Sequence, residues 1–98
     1  MIQLQVSYVL RDGVKPKDYY DRLKKEGLIQ KVLDEPGCLQ FSFFVPVEDD
    51  GLFLIETFKD QDALDQHKQY PHISEILKVK EEYVLETQVK TLVIGESK

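Results

Sequence analysis

The sequence predicts an α+β domain of the ferredoxin-like type, a βαββαβ chain with a four-stranded antiparallel sheet. Three observations support this prediction. The chain has only 98 residues, its apolar side chains switch between two-residue and three-to-four-residue periods, and turn residues separate the periodic segments. Because a chain of this length usually forms one domain, we expect a single domain over residues 1–98.

The first half of the chain is predicted to form a strand, a helix and a hairpin. Apolar side chains occupy every second position over Ile2–Leu10, which is the period of a half-buried strand. Residues 16–34 predict an amphipathic helix, and Gly27 is expected to weaken or bend its middle. Two strands at residues 38–46 and Leu52–Phe58 flank a polar segment that ends in glycine, which predicts a hairpin.

The second half is predicted to form two helical segments and a strand. Residues 59–70 have helical spacing, with Asp60 placed as the N-cap. Pro71 interrupts this pattern and begins a second helical segment, because proline suits the first turn of a helix. Residues 83–94 alternate loosely as a last strand, and the tail after Gly95 is expected to fray.

Composition and charge restrict the class of partner. Thirteen basic residues against eighteen acidic ones leave a net charge of −5, which disfavours nucleic acid and anionic membrane surfaces. No apolar run approaches the ~20 residues that cross a bilayer. The single cysteine and the absence of a signal-peptide pattern lead us to expect a cytoplasmic location.

Both faces of the predicted sheet contain large apolar side chains. By strand alternation, Phe41 lies on one face and Cys38 and Phe44 on the other, while Phe53 opposes Leu54 in the next strand. Two helices can cover only one of these faces. The other face is therefore expected to be covered by a second subunit or to enclose a pocket, and we predict a homodimer packed sheet against sheet.

The densest polar and aromatic cluster in the sequence comprises Glu56, Phe58, His67, Tyr70 and His72. Histidine titrates near neutral pH without perturbation, so His67 and His72 are the candidate proton-transfer groups. The residues alone leave an alternative open. Histidines near the junction of two helical segments often bond free backbone carbonyls and have only a structural role.

Other chemistries are disfavoured by spacing. A metal site of His67, His72 and Glu75 would need two histidines on one helix face, but these lie five residues apart across a proline. Cys38 has no sequence neighbour that could act as a base, which favours a small buried apolar role. The chain also lacks a glycine-rich phosphate loop and a nucleotide fingerprint, so we expect no cofactor.

Two motifs support a family resemblance that spans nearly the whole chain. The first is Asp-Glu-Pro-Gly-Cys-Leu at residues 34–39, and the second runs from Phe58-Lys59-Asp60 through His67 to Pro71-His72. Together they make the chain resemble the antibiotic biosynthesis monooxygenase family, whose members are small dimeric α/β-barrel proteins.

The resemblance implies oxygenation of electron-rich aromatic, quinol or polyphenol substrates by molecular oxygen, without a metal, flavin or other prosthetic group. A deprotonated polyphenol can itself pass an electron to oxygen, so the protein need supply only a dry apolar cavity, a base and orientation. In this chain, the resemblance favours His67 and His72 as the catalytic residues. The expected substrate contacts are Tyr70 for a quinol oxygen, Phe44, Phe53 and Phe58 as cavity walls, and Glu56 orienting a histidine.

The chain departs from the family pattern in one respect. Phe58 occupies the position that is most often tryptophan, and the chain contains neither tryptophan nor asparagine, which disfavours the haem-degrading members. Another branch contains an isomerase of a phosphorylated quorum-sensing sugar, whose motif is similar to residues 59–72. Under that alternative His67 and His72 shuttle a proton, and Lys59 or Lys68 meets the phosphate. A third alternative is a noncatalytic dimeric domain that binds a small ligand.

Overall fold

The predicted fold class is confirmed by a computed structural model, which describes residues 1–95. The predicted fraying after Gly95 concerns residues 96–98, which lie outside the described residues. The elements in chain order are β1 Ile2–Leu10, α1 Pro16–Lys25, α2 Leu28–Leu33, β2 Cys38–Phe44, β3 Leu52–Phe58, α3 Gln61–His67, α4 Pro71–Tyr83 and β4 Val84–Val93.

The four strands form one antiparallel sheet in the order β2-β3-β1-β4. In β1 and β3, the paired residues Val6 and Leu54 are buried on the same face. Tyr19, Leu23 and Val79 from the helices pack with them in the main core. The helices therefore cover one face of the sheet. No helix within the described part of the chain is long and apolar enough to span a bilayer.

The helix predicted over residues 16–34 is divided in two. Gly27 has a φ of +73°, a left-handed conformation that glycine adopts without the steric penalty of a side chain. It ends the turn after α1 and precedes α2, so its effect is a break rather than a bend. The prediction for Asp60 is confirmed, since its side chain accepts a hydrogen bond from the Ala63 backbone N–H at 2.8 Å.

The predicted position of Cys38 is wrong. The register shifts between Cys38 and Gln40, so that Cys38 lies opposite Phe58 and packs with the core under the helices. The extra residue, Leu39, remains 55% exposed. Because of this β-bulge, the side chain before Leu39 points to the face opposite to the predicted one. The side chains after Leu39 point to the predicted faces.

The sheet face opposite the helices was expected to be mainly apolar, but a row of polar side chains crosses it. Gln5 Nε2 donates to Gln3 Oε1 at 3.0 Å, and Gln3 Nε2 donates to Thr57 Oγ1 at 3.2 Å. The Thr57 hydroxyl then faces Gln40 Oε1 at 3.4 Å. Apolar side chains flank this polar row on the same face, namely Val9, Phe44, Phe53, Ile55 and Leu92.

Candidate functional site

Four ionisable side chains meet between the sheet and the helices, and we refer to them as the carboxylate–histidine cluster. Glu35 follows α2, Glu56 lies in β3, His67 ends α3 and His72 is near the start of α4. Each of the four residues is at most 9% exposed. Buried ionisable groups are normally paired, and here the two carboxylates and two imidazoles are each other's partners.

The four groups contact one another in a row. His72 Nε2 lies 2.6 Å from Glu35 Oε2, and His67 Nδ1 lies 2.8 Å from Glu35 Oε1. On the other side of the His67 ring, Nε2 lies 3.4 Å from Glu56 Oε1. Glu35 is therefore shared by both histidines, and His67 is flanked by a carboxylate at each ring nitrogen.

The turn after α2 positions Glu35 against α3. The backbone N–H of Glu35 donates to the Val32 carbonyl at 3.0 Å, and Lys59 N–H donates to the Gly37 carbonyl at 2.9 Å. A Cβ atom at Gly37 would overlap the methyl group of Ala63, so the turn can approach α3 this closely only with glycine. The Glu-Pro-Gly-Cys motif is thus a docking turn that places a carboxylate beside His67.

Aromatic rings hold the two imidazoles in place. The Phe58 ring centroid lies 4.7 Å from that of His67. Tyr70 stacks on His72 at 5.2 Å with an interplanar angle of 14°. Pro71 starts α4 between these two residues, and its missing N–H would have had no helical partner there.

The charge state of the cluster depends on His67. Burial, the largest influence, lowers the pKa of His67, but hydrogen bonds and charge from Glu56 and Glu35 outweigh it and raise the pKa above its ordinary value. His67 is therefore held as an imidazolium that loses its proton only above its usual pH range.

Neighbouring groups remain protonated at neutral pH. Burial, together with the charge of Glu35, raises the pKa of the Cys38 thiol to about 11. Burial also raises the pKa of Tyr8 and of Tyr19 well above their ordinary values. These three groups therefore offer no competing base or nucleophile beside the cluster at neutral pH.

The structure brings together five of the seven predicted site residues. Those five lie on the helix-covered side of the sheet and are His67, His72, Glu56, Phe58 and Tyr70. Phe44 and Phe53 lie on the opposite face, with their ring centroids 6.5 Å apart. Each histidine contacts a buried carboxylate, rather than serving only backbone carbonyls as the structural alternative proposed.

Glu35 is the functional candidate that the sequence analysis missed. In the sequence it is only one residue of the motif at residues 34–39 and has no assigned role. One signal was present, because Glu35, next to Pro36 and Gly37, lies in one of the two motifs that support the family resemblance, and both histidines lie in the other. Within residues 1–95, no group of three or more His, Cys, Asp or Glu side chains is arranged to hold a metal ion.

An apolar cavity, which we call the aromatic groove, lies between the first two helices and β2. Its volume is about 480 Å³ and its walls include Tyr20, Phe41 and Phe43. Phe41 pairs directly across the sheet with Glu56, so the two side chains are neighbours on the same face. Phe41, a wall of the groove, is thus a neighbour of Glu56, and Oε1 of Glu56 lies 3.4 Å from Nε2 of His67.

A second, smaller cavity is polar and lies at the surface beside the cluster. This polar cleft has a volume of about 200 Å³ and is bounded by Glu35, Lys59, Gln66 and Tyr70, with Asp60 and Asp62 at its rim. A third cavity of about 690 Å³ lies at the other end of the sheet, between the loop after β1 and the loop before β3.

Comparison with known proteins identifies relatives in both sequence and structure. The profile of the antibiotic biosynthesis monooxygenase family matches residues 20–79. A protein from Shewanella oneidensis is 26% identical with a TM-score of 0.78, over 93% of this chain and 87% of that one. A conserved protein from Methanosarcina mazei is also 26% identical with a TM-score of 0.74, over 93% and 89% of the chains. A structure of an antibiotic biosynthesis monooxygenase is 22% identical with a TM-score of 0.74, over 98% of this chain and 100% of that one. No protein of curated function matches the sequence.

Proposed function

Because the chain belongs to the antibiotic biosynthesis monooxygenase family, we propose that it is a cofactor-independent monooxygenase of a small aromatic, quinol or polyphenol substrate. The observation that best supports this proposal is the placement of His67 between two buried carboxylates, at 2.8 and 3.4 Å. A substrate that reduces oxygen itself requires a base to generate its reactive anion. His67, once neutral, is such a base, and its pKa is raised by both partners.

The substrate is proposed to bind in the aromatic groove. The groove offers ring-sized apolar space, and the rings of Phe41 and Phe43 meet edge to face at 5.4 Å. A planar ring against Phe41 approaches Glu56, which pairs with Phe41 across the sheet. Glu56 would accept the hydroxyl hydrogen and pass it to Nε2 of His67, 3.4 Å away.

The proposed reaction needs no reductant other than the substrate. Loss of a phenolic proton gives a phenolate, which transfers one electron to O₂. The radical and superoxide combine in a C–O bond, and the resulting peroxide anion takes back the proton from His67. Loss of water, with the hydrogen of the attacked ring carbon, leaves a carbonyl, so one oxygen atom enters the product and the other leaves in water.

The protein is further proposed to function as a homodimer packed through the sheet face opposite the helices. Val9 and Phe44 on this face are 48% and 45% exposed, an arrangement that a second copy would cover. The polar row of Gln3, Gln5 and Thr57 would supply hydrogen bonds within the interface. Sedimentation should show a dimer, and a monomer at micromolar concentration would contradict this part of the proposal.

The isomerase alternative has weaker support from the polar cleft. Lys59 lies at the cleft, but Asp60 and Asp62 lie beside it, and their negative charges would oppose a phosphate. Lys68 is exposed and does not line the cleft. This alternative is therefore retained as an outcome of the test rather than as a second proposal.

Oxygen uptake tests the proposed function. Wild type should consume oxygen with a quinol or polyphenol, and His67→Ala should lose about 100-fold or more in turnover while remaining a dimer. Glu75→Gln, which removes an exposed carboxylate of α4, is the matched control and should retain full activity. Turnover of a phosphorylated keto-sugar without oxygen would support the isomerase instead. Thermal stabilisation by a ligand without any turnover would indicate a binding domain.

A further inference from the structure

The hydroxyl group of Tyr19 is buried without a hydrogen-bond partner. Tyr19 is 0% exposed, and among residues 1–95 no other fully buried side-chain nitrogen or oxygen atom is unpaired. A buried hydroxyl without a partner costs free energy, because it has lost its hydrogen bonds to water and gained none in the protein. Phenylalanine would fill the same space without that cost. The hydroxyl therefore does not stabilise the free protein, and a bound molecule can supply the missing partner.

Tyr19 lies next to the aromatic groove. The Phe43 ring meets the Tyr19 ring edge to face, with the centroids 6.5 Å apart and an interplanar angle of 88°. Phe43 is also a wall of the groove, together with Phe41 and Tyr20. Because Phe43 both borders the groove and contacts Tyr19, a single side chain links Tyr19 to the proposed substrate site.

Two further polar groups lie in the same part of the core. The Tyr8 ring meets the Tyr19 ring edge to face at 5.5 Å, although no hydrogen bond joins their hydroxyls. Burial raises the pKa of both tyrosines, and the negative charge of Glu56 adds to the rise. Both hydroxyls therefore keep their hydrogen at neutral pH and can donate it in a hydrogen bond. They do so near Glu56, which is proposed to take the first hydroxyl hydrogen of the substrate.

We propose that the Tyr19 hydroxyl is a substrate-binding group, which donates a hydrogen bond to the second oxygen of a quinol whose first hydroxyl faces Glu56. This assignment rests on the proposed oxygenase function and narrows its substrate class to aromatic rings with two oxygen substituents. The Phe43 ring must turn aside for this contact, and side-chain rotations of this kind are common on binding. In the free protein the Tyr19 hydroxyl has no hydrogen bond to give up, so the bond to the ligand is a net gain.

Tyr20 is the competing donor in the groove. Its ring lines the groove and meets the Phe43 ring at 5.4 Å, but Tyr20 is only half-buried. A hydroxyl that water can reach is already hydrogen-bonded, so it exchanges one partner for another when a ligand binds. The affinity gained from the second substrate oxygen should therefore depend on Tyr19 rather than on Tyr20.

Binding measured without oxygen tests this assignment separately from turnover. The probes are naphthalene-1,4-diol and 1-naphthol, which have the same rings and differ only in the second hydroxyl. Anaerobic isothermal titration calorimetry gives the Kd of each probe. Wild type should bind the diol about tenfold more tightly than 1-naphthol, which is the scale of one well-placed hydrogen bond.

Tyr19→Phe removes the hydroxyl and keeps the ring. The preference for the diol should disappear, and the Kd for 1-naphthol should change by less than about twofold. Tyr83→Phe is the matched control, because it removes a hydroxyl from another ring that contacts Tyr19, at 5.8 Å, and it should bind both probes as wild type does. A preference that persists in Tyr19→Phe, or that is lost in Tyr20→Phe instead, would overturn the assignment.

Stability gives a second readout that a structural role would move in the opposite direction. Tyr19→Phe should unfold at the same urea concentration as wild type or at a higher one, because no hydrogen bond is lost. A lower midpoint, or a variant that does not fold, would show that the hydroxyl already has a partner and would overturn the assignment. In wild type, the ¹³Cζ resonance of Tyr19 should shift when the diol binds and should stay in place with 1-naphthol.

The outcomes separate this assignment from the proposed function. Selective binding of the diol that depends on Tyr19, in a protein that consumes no oxygen, would support the assignment and reject the oxygenase. Oxygen uptake together with equal affinity for the two probes would do the reverse. The absence of binding of either probe at millimolar concentration would overturn the assignment.

Discussion

Replacing His67 by leucine should destabilise the fold strongly, and by an amount that depends on pH. The substitution removes the ring that lies between Glu35 and Glu56 and leaves both carboxylates buried. Breaking a buried ion pair from one side costs about 3–5 kcal/mol. Glu35 retains His72 as a partner at 2.6 Å, so we take the lower value. The free energy of unfolding should therefore fall by about 3 kcal/mol near pH 6.

The pH dependence follows from the raised pKa of His67. In the unfolded chain the imidazole titrates near pH ~6.5, so the stabilisation from a raised folded pKa is fully present below that pH. It is lost as the pH rises through the higher folded pKa. The stability difference between wild type and His67→Leu should therefore be largest below about pH 6.5 and should narrow as the pH rises above that value.

Urea denaturation followed by circular dichroism, at one fixed protein concentration, measures this difference. At ~4 °C or more for each kcal/mol in a domain of this size, a thermal scan should also show a loss of about 12 °C or more. The double variant His67→Leu with Glu56→Gln should recover part of the loss, because one stranded carboxylate is neutralised. A loss below about 1 kcal/mol, or one equal at all pH values, would refute the description of His67 as a buried imidazolium.

Two further predictions concern the docking turn and the thiol. Gly37→Ala should lower the unfolding free energy by about 1–3 kcal/mol and reduce oxygen uptake, because the new methyl overlaps Ala63 and displaces Glu35. Unchanged stability and activity would contradict the close approach of the Gly37 turn to α3. Alkylation of Cys38 by iodoacetamide at pH 8 should be about 100-fold slower than that of a free thiol, since burial raises its pKa to about 11; a rate equal to that of a model thiol would show that the thiol is not shielded.

Sequence periodicity was sufficient for the element types and the fold, but not for local register. Strands are predicted at Ile2–Leu10 and Leu52–Phe58 from apolar and β-branched residues bounded by turn residues, and the structure has them at those residues. In β2 the bulge at Leu39 reverses the face of Cys38, and no side-chain pattern indicates where a strand will accommodate an extra residue. The break at Gly27 was partly predicted, because glycine was expected to weaken the helix.

The candidate site was predictable only in part, because its decisive contact is between distant residues. His67 and His72 lie in one short segment, and their position in a polar and aromatic cluster was enough to identify them as candidates. Glu35 lies 32 residues before His67, and its contact depends on the turn at Gly37 docking against α3. Phe44 and Phe53 were assigned correctly to one face by alternation, but only the packing of the helices showed that Glu56 and the histidines lie on the other.

The pH dependence of turnover, measured together with the titration of His67, tests the central claim most directly. The initial rate of oxygen uptake with a quinol is recorded across pH 5 to 9, and NMR follows the protonation of the His67 ring over the same range. If His67 accepts the substrate proton, kcat/KM should rise with pH along the same curve on which His67 loses its proton, at a pKa above the ordinary ~6.5. A rate that is flat or falls while His67 deprotonates would contradict its role as the base.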